Sequence, residues 1–130
     1  VVAELSSFQL EFTHSIKAKA ATILNITPDH LDRHHTMEGY AAAKERIFLN
    51  QDKGDYAVLN YDDERVRAMA KDMTGTVVYF STCGEVPEGA FYRDGQLILR
   101  LHGQETSSVP KRTCTSSASI ISRIAWLRFS

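Results

Sequence analysis

The sequence predicts an α/β protein with a mostly parallel sheet, flanking helices and one antiparallel hairpin. Short apolar runs, typical of strands buried on both faces, alternate along the chain with segments of helical periodicity. This alternation favours strand–helix–strand units and hence a parallel sheet. Asp94-Gly95 stands between two further apolar runs and predicts a two-residue hairpin turn at the edge of that sheet.

The chain begins with two predicted strands separated by a helical turn. Residues 1–5 have the apolar character of a strand end, and Ser6 or Ser7 can cap the helical turn that follows. Residues 20–26 form a second apolar run of strand length. Pro28 ends this run, because the residue before a proline is disfavoured in further regular structure.

A helix is predicted after the second strand. Thr36 is a candidate N-cap, and the Ala-rich segment at 40–49 has high helix propensity. Tyr40, Ala43 and Ile47 fall on one face at helical spacing, so this face is predicted to pack on the sheet.

The later elements follow the same alternation. They are predicted as strands at 55–60, 76–80, 90–93 and 96–101 and a helix at 64–73. Asp62 is predicted to cap the helix and Gly75 to end it.

Composition excludes several classes of function. The 130 residues carry a formal net charge of −1, with 43% hydrophobic and 24% charged residues, as in an ordinary globular domain. This balance gives no basic footprint for nucleic acid or an anionic membrane surface. No apolar run reaches the roughly 20 residues that cross a bilayer, and no signal peptide is recognised. Cys83 and Cys114 lack metal-type spacing and favour a reducing cytoplasm.

A polar loop between the apolar run at 20–24 and the helical pattern at 40–49 concentrates the side chains that could carry chemistry. It follows a buried strand and contains His30, Asp29 and Asp32 together with Arg33, His34 and His35. Loops that follow buried strands are where α/β proteins place their sites. The acidic residues, with Glu4 at the end of the first strand, offer the oxygen ligands that Mg²⁺ prefers.

Each candidate ligand also has an ordinary structural interpretation. A strand-end carboxylate such as Glu4 often meets only water, and a loop histidine such as His30 is more often solvated than bound to metal. Lys44 would by default be a solvated helix lysine, although its place beside the apolar face favours a partly buried amine that can be modified. A carbamate formed there with CO₂ would be an anionic oxygen ligand. Zinc is matched less well, because the histidines lack HxH or HExxH spacing and no thiol is near.

Three blocks of sequence, taken in order, resemble the central domain of the Mur ligase family. They are ELSSFQL at 4–10, NITPDHLDRH at 25–34 and YAAAK at 40–44. The resemblance covers about residues 1–110 and implies part of a P-loop NTPase-like, ATP-binding central domain. Within the family, ELSSFQLE is similar to the branch that adds D-glutamate.

The resemblance implies catalytic and metal-binding roles for three residues. Glu4 is similar to the carboxylate that binds the Mg²⁺ shared with the ATP phosphates. His30 is similar to the ligand of a second Mg²⁺, and Lys44 to a lysine whose carbamate supports that second ion.

The resemblance also implies supporting residues. Ser6 and Asn25 match positions on the substrate side of the site. Asp29 and Asp32 lie within the motif, and we expect them, with Asn25, to orient the metal ligands.

The implied reaction is ATP-dependent amide-bond formation in peptidoglycan biosynthesis. The alanyl carboxylate of UDP-N-acetylmuramoyl-L-alanine attacks the γ-phosphate of ATP, and the amine of D-glutamate then attacks the resulting acyl phosphate. ATP and Mg²⁺ are the implied cofactors, since two ions screen the repulsion between carboxylate and triphosphate. We expect a cytoplasmic enzyme, monomeric at full length, with no nucleic-acid or membrane partner.

Two alternatives remain beside this interpretation. One is another amide ligase of the same superfamily, including folylpolyglutamate synthetase-like members, against which ELSSFQLE argues. The other is a non-catalytic α/β module in which His30 and the carboxylates hold a structural ion or a nucleotide.

The chain departs from the family pattern in what it lacks. The phosphate-binding motif GxxxxGK[ST] does not occur in the 130 residues. We therefore expect a piece of the enzyme without the P-loop, the uridine-binding domain and the D-glutamate-binding domain. Alone, such a piece is expected to be inactive.

The tail at 111–130 departs in another way. Residues 106–130 carry four basic residues, no acidic one and seven serines, whereas the family should show a Gly-x-His-Asn-x-x-Asn stretch here. Codons can be chosen for residues 111–127 that, read from the last base of the Pro110 codon, give ETDVHILGEHNIENCL. We therefore hypothesise a frame shift near Lys111 and expect a disordered tail.

Overall fold

The computed structural model describes residues 3–28 and 35–108. Helices α1, α2 and α3 span Ser7–Glu11, Met37–Glu45 and Glu64–Ala68. Strands β1 to β6 span Ala20–Ile23, Tyr56–Asn60, Thr76–Phe80, Gly89–Arg93, Gln96–Leu101 and Gln104–Ser108. Single 3₁₀ turns extend α2 through Arg46–Phe48 and α3 through Met69–Asp72. The predicted division between 1–110 and 111–130 lies outside the described residues.

The strands form one six-stranded sheet in the order β1-β2-β3-β4-β5-β6. Neighbouring strands from β1 to β4 run parallel, and β4, β5 and β6 pair antiparallel. Helical segments connect β1 to β2 and β2 to β3, as parallel pairing requires. The predicted α/β class, with a mostly parallel sheet and an antiparallel hairpin at one side, is confirmed.

The first predicted strand lies partly outside the described residues, which begin at Ala3. Residues 3–5 have no regular structure, and Ala3 is exposed, so they do not extend the sheet as described. The apolar run at 20–26 is also longer than the strand it contains, because pairing with β2 ends at Ile23. Apolar character marks burial, and Ile26 is buried beyond the end of the strand.

The core on the helix-bearing face joins both crossover segments to the first two strands. Its buried members are Ala21, Ile23, Ile26, Tyr40, Phe48, Ala57, Leu59, Val66 and Met69. The predicted apolar face of α2 is confirmed, since Tyr40 and Ala43 are buried and Ile47 packs against this cluster. A second cluster contains the alternate strand residues Val58, Val78, Phe80, Ala90 and Leu97. Both faces of the central strands are therefore apolar, which explains their continuous apolar runs.

Two tight turns build the antiparallel part of the sheet. Asp94 and Gly95 have φ of 52° and 74°, as a type I′ turn requires, and they join β4 to β5 as predicted. His102 and Gly103 repeat this conformation with φ of 52° and 76° and join β5 to β6. Strand β6 was not predicted, because its sequence QETSS has no alternation of apolar and polar residues.

Side chains at the end of α2 hold the irregular segment between α1 and β1. Asn50 Nδ2 donates to the carbonyls of His14 and Ile16, at 2.9 and 2.7 Å. Gln51 Nε2 donates to the Ala18 carbonyl at 3.0 Å. These bonds satisfy backbone oxygens that have no partner in a strand, so the segment is fixed without regular structure.

Candidate active site at the carboxyl ends of the parallel strands

The chain leaves β1, β2 and β3 at the same edge of the sheet. We call the residues that directly follow each strand the exit of that strand. β1, β2 and β3 pair in register, so their carboxyl ends meet there. Asn25 follows β1, Asp62 and Asp63 follow β2, and Ser81 follows β3. This edge is where open α/β sheets bind their ligands.

Glu4 and Ser6 lie in the segment that leads into α1, and both are exposed. Ser6 is the N-cap of the helix, as predicted: its Oγ accepts a hydrogen bond from the Gln9 amide at 3.3 Å. Gln9 Oε1 in turn accepts one from the Ser6 amide at 2.8 Å. This capping box fixes the first turn of α1 and orients the residues just before it.

Lys44 lies in α2, which begins after its predicted N-cap. The Thr36 Oγ1 accepts a hydrogen bond from the Gly39 amide at 3.0 Å. Lys44 is half-buried, and its Nζ lies 5.8 Å from the centroid of the Tyr40 ring. The predicted position beside the apolar face is therefore confirmed, whereas the carbamate remains a prediction.

Helix α1 packs against α2, and Arg46 joins them. The Arg46 Nε donates to the Leu10 carbonyl at 2.8 Å, and its Nη2 donates to the Thr13 carbonyl at 3.0 Å. Both carbonyls belong to the C-terminal end of α1 and the residues after it. The helix preceded by Glu4 is thus tied to the helix that carries Lys44.

The exit of β1 is held by side chains from the end of β2. Asn60 Nδ2 donates to the Leu24 carbonyl at 2.7 Å, and the Ile26 amide donates to Asp63 Oδ2 at 2.8 Å. Asn25 lies between these two anchored residues with its side chain exposed. The structure therefore places Asn25 at the carboxyl edge, where the sequence predicted a site residue.

The capping residue of α3 differs from the prediction by one position. Asp63, not Asp62, is the N-cap and accepts hydrogen bonds from the Arg65 and Val66 amides. Both aspartates satisfy the residue preference for this position, and the sequence alone could not separate them.

Asp62 instead binds the exit of β3. It accepts hydrogen bonds from the Ser81 hydroxyl and from the Thr82 amide, the latter at 2.8 Å. Burial opposes ionisation of Asp62, but the bonds from Ser81, Thr82 and Cys83 outweigh it and lower the pKa of the carboxyl below 3.8. Asp62 is therefore a fixed anion that ties β2 to β3.

The remaining predicted site residues, Asp29, His30 and Asp32, lie outside the described residues. Within the ranges 3–28 and 35–108, no three His, Cys, Asp or Glu side chains are grouped closely enough to hold a metal ion. The donor types nevertheless suit Mg²⁺, since Glu4 contributes an exposed carboxylate and a carbamate on Lys44 would contribute a second anionic oxygen group.

Sequence reasoning missed the residues that hold the site segments in place. Arg46, Asn60 and Asp63 all act on backbone groups far along the chain. Asn60 carried one usable signal, because it is a polar residue at the end of a buried strand, as Glu4 was expected to be. Arg46 carried none, since its partners are carbonyls that any residue possesses.

The family model of the Mur ligase middle domain, which describes the sequences of that family, matches residues 1–125 of the chain. A UDP-N-acetylmuramoylalanine--D-glutamate ligase of Desulfitobacterium hafniense (strain Y51) is 46% identical over 111 residues, which are 85% of this chain and 24% of that protein. The ligase of the same name from Trichlorobacter lovleyi is 50% identical over 106 residues, 82% of this chain and 24% of that protein. The chain thus spans about a quarter of the length of these curated relatives.

Solved structures agree at the level of the fold. UDP-N-acetylmuramoylalanyl-D-glutamyl-2,6-diaminopimelate--D-alanyl-D-alanyl ligase from Acinetobacter baumannii matches 95% of this chain and 27% of its own, with a TM-score of 0.59 and 16% identity. The fold is therefore that of an α/β ligase middle domain. The chain belongs to the Mur ligase family.

Among the residues that the structure describes, no helix combines the length and apolar character that crossing a bilayer requires.

Proposed function

We propose that this chain is part of an ATP-dependent ligase that adds D-glutamate to UDP-N-acetylmuramoyl-L-alanine in peptidoglycan synthesis. The observation that carries the proposal is the 46–50% identity, over most of the chain, to relatives named for this reaction. The arrangement of the described residues supports it. Segments implied in the site occupy the carboxyl edge of the sheet and two packed helices.

In this proposal the middle domain supplies the metal-binding side chains. Glu4 would bind the Mg²⁺ shared with the ATP phosphates, and His30 with a carbamate on Lys44 would hold a second Mg²⁺. The bound ions would neutralise the charge that phosphoryl transfer concentrates between substrate and nucleotide. The position of the half-buried Lys44 beside the Tyr40 ring supports its assignment.

The remaining site residues would orient the substrate and the ligands. Ser6 is exposed although its hydroxyl caps α1, so it can still contact the muramoyl substrate. Asn25 would contact the substrate from the exit of β1, while Asp29 and Asp32 would orient the ligands in the loop that follows.

The reaction then proceeds in two balanced steps. The alanyl carboxylate oxygen bonds to the γ-phosphorus of ATP while the bond to the β-phosphate oxygen breaks, giving an acyl phosphate and ADP. The neutral amine of D-glutamate attacks the acyl carbon, and the tetrahedral intermediate collapses with loss of inorganic phosphate and a proton. One amide bond forms for each ATP consumed.

Cell location and assembly belong to the same proposal. The nucleotide-linked substrate and ATP are cytoplasmic metabolites, so we propose that the protein acts in the cytoplasm. We propose further that the full-length protein is a monomer that acts on these small molecules without a nucleic-acid or membrane partner.

An amino-acid panel tests the proposal. The full-length gene product is incubated with UDP-N-acetylmuramoyl-L-alanine, ATP and Mg²⁺ and with D-glutamate, L-glutamate, L-lysine or glycine in turn. The proposal predicts a new amide product and an equal amount of ADP with D-glutamate only. Ligation of a different amino acid, or of L-glutamate to a folate in a parallel reaction that replaces the muramoyl substrate with a folate, would assign the protein to another amide ligase of the superfamily. Nucleotide binding without any turnover would indicate a non-catalytic module.

A further inference from the structure

Side chains at the end of β2 and in the turn after it form hydrogen bonds with the backbone at the exit of β1. Asn60, the last residue of β2, donates from Nδ2 to the Leu24 carbonyl at 2.7 Å. Asp63 accepts the Ile26 amide at Oδ2, at 2.8 Å. The two bonds lie on either side of Asn25, beyond the point where pairing between β1 and β2 has ended. Side chains therefore replace the missing sheet pairing at this exit.

Each of the two side chains uses both of its terminal atoms, one for each partner. Asn60 Oδ1 accepts the Asp62 amide at 2.9 Å, which directs Nδ2 toward β1. The second oxygen of Asp63 accepts the Arg65 amide at 3.0 Å and so caps α3. Asp63 thus uses one carboxylate oxygen for the helix and the other for the β1 exit. An amide side chain could not do both.

The bond to Ile26 has no substitute in the described structure. Ile26 is 5% exposed, so its amide is withdrawn from water and would be unsatisfied without Asp63. Its side chain belongs to the core on the helix-bearing face. The backbone on both sides of Asn25 is therefore fixed by polar bonds and by core packing together.

We infer that Asn60 and Asp63 are positioning residues for binding of UDP-N-acetylmuramoyl-L-alanine, because they fix the backbone at the β1 exit on which Asn25 lies. This inference rests on the proposed function, since that function makes Asn25 a substrate contact at this exit. Neither residue needs to touch metal or substrate. Their effect is transmitted through the Leu24 carbonyl and the Ile26 amide, as supporting residues orient metal sites in general.

Two isosteric substitutions separate positioning from helix capping. Asp63→Asn can still cap α3 through Oδ1, but it turns an NH₂ group toward the Ile26 amide. Asn60→Asp can still accept the Asp62 amide, but it turns a carboxylate toward the Leu24 carbonyl. Asp62→Asn is the matched control, because it disturbs the same turn on the side that binds Ser81 and Thr82.

The experiment uses the full-length gene product and measures the KM for UDP-N-acetylmuramoyl-L-alanine at saturating ATP, Mg²⁺ and D-glutamate. Asn60→Asp and Asp63→Asn are expected to raise this KM by about tenfold, while Asp62→Asn changes it by less than about twofold. The KM for D-glutamate is expected to remain unchanged in all three. Hydrogen exchange of the peptide containing Ile26 is expected to speed up in Asp63→Asn and not in Asp62→Asn.

The results separate this inference from the proposed function. A wild-type KM for UDP-N-acetylmuramoyl-L-alanine in Asn60→Asp and Asp63→Asn overturns the inference and leaves the function standing if the wild type ligates D-glutamate. An equal rise of this KM in Asp62→Asn also overturns it, because general destabilisation of the edge would then explain the change. A wild type that forms no amide product with D-glutamate overturns both.

Discussion

Residues of the ELSSFQL motif at 4–10 serve the fold as well as the proposed chemistry. Ser6 and Gln9 form the capping box, Ser7 is 2% exposed, and Leu10 is 1% exposed in the interior. These residues have a structural reason to be where they are, whatever the protein catalyses. Glu4 lacks such a reason, since it is an exposed carboxylate ahead of the helix. It is therefore the residue of this block that most needs a functional explanation.

Gly89 is the residue whose replacement should harm the fold most clearly. It has a φ of 132°, and a Cβ there would lie 1.8 Å from the Tyr79 carbonyl oxygen. Gly89→Ala must therefore break the pairing of β3 with β4. It is expected to lower the free energy of unfolding by at least about 3 kcal/mol, measured by urea denaturation.

Two other glycines provide matched controls. A Cβ at Gly95, where φ is 74°, or at Gly84 would meet no atom within 4 Å. Gly95→Ala should cost about 1 kcal/mol through its left-handed backbone, and Gly84→Ala less than about 0.5 kcal/mol. Equal losses in all three variants would show that the close approach to Tyr79 does not decide the stability.

At the scale of elements, a charged network fixes the start of β2 at the edge opposite the candidate site. Asp55 is 2% exposed and accepts the Asp52 amide at 2.9 Å and Lys19 Nζ at 3.1 Å. Lys17 pairs with Asp52 beside it. The Asp52 amide outweighs the cost of burial and, with Lys19, lowers the pKa of Asp55 below 3.8. The network therefore favours the folded state while Asp55 is ionised.

Acid should weaken this network. Because the folded-state pKa of Asp55 lies below its ordinary value of 3.8, its contribution is present above that pH and is lost as pH falls through the folded-state pKa. Asp55→Asn is expected to be less stable than the wild type at neutral pH, and the difference should shrink below pH 3.8. Urea denaturation at a series of pH values measures this.

Glu45 has the opposite effect on how the stability of the fold depends on pH. Burial, helped by Asp72, raises the pKa of the Glu45 carboxyl above 4.5, so its protonation favours the folded state as pH falls through the raised value. Comparing wild type with Asp55→Asn cancels this contribution. A stability difference that stays constant between neutral pH and about pH 2 would contradict the role given to Asp55.

Sequence patterns predicted the elements that bury apolar residues and missed those that do not. The apolar run at 76–80 and the Asp94-Gly95 turn gave their elements with correct bounds. Helix 64–73 was predicted as one element, but its second half is a 3₁₀ turn, because apolar spacing does not distinguish the two. Asn60 and Asp63 could not be assigned, since their partners are backbone groups at the exit of another strand.

At the scale of the whole molecule, the match to the family and the odd composition of the tail concern the same region. The family model extends to residue 125, whereas the tail at 111–130 lacks the stretch that the family resemblance led us to expect. A frame shift near Lys111 would explain the missing stretch, although it would not by itself produce a match as far as residue 125. It would also mean that the serines and Trp126 of the tail were never selected for a role.

Genomic sequencing tests this hypothesis. Reads across the codons for residues 105–130 are expected to show a one-base insertion or deletion near Lys111, with GEHNIEN encoded once the frame is restored. An unbroken frame through Ser130 in independent reads would show that the tail is a genuine part of the protein, and the frame-shift hypothesis would be withdrawn.

The central claim is that this domain carries a ligase site that depends on Lys44. Its most direct test is ADP release by the full-length gene product, with UDP-N-acetylmuramoyl-L-alanine present and D-glutamate added or omitted. D-glutamate should stimulate ADP release by the wild type. Lys44→Arg should lower the stimulated rate of ADP release by at least about 100-fold, because arginine cannot form the carbamate. Lys53→Arg, a control at an exposed lysine, should keep this rate within about twofold of the wild type. Full stimulation in Lys44→Arg, or none in the wild type, would contradict the account.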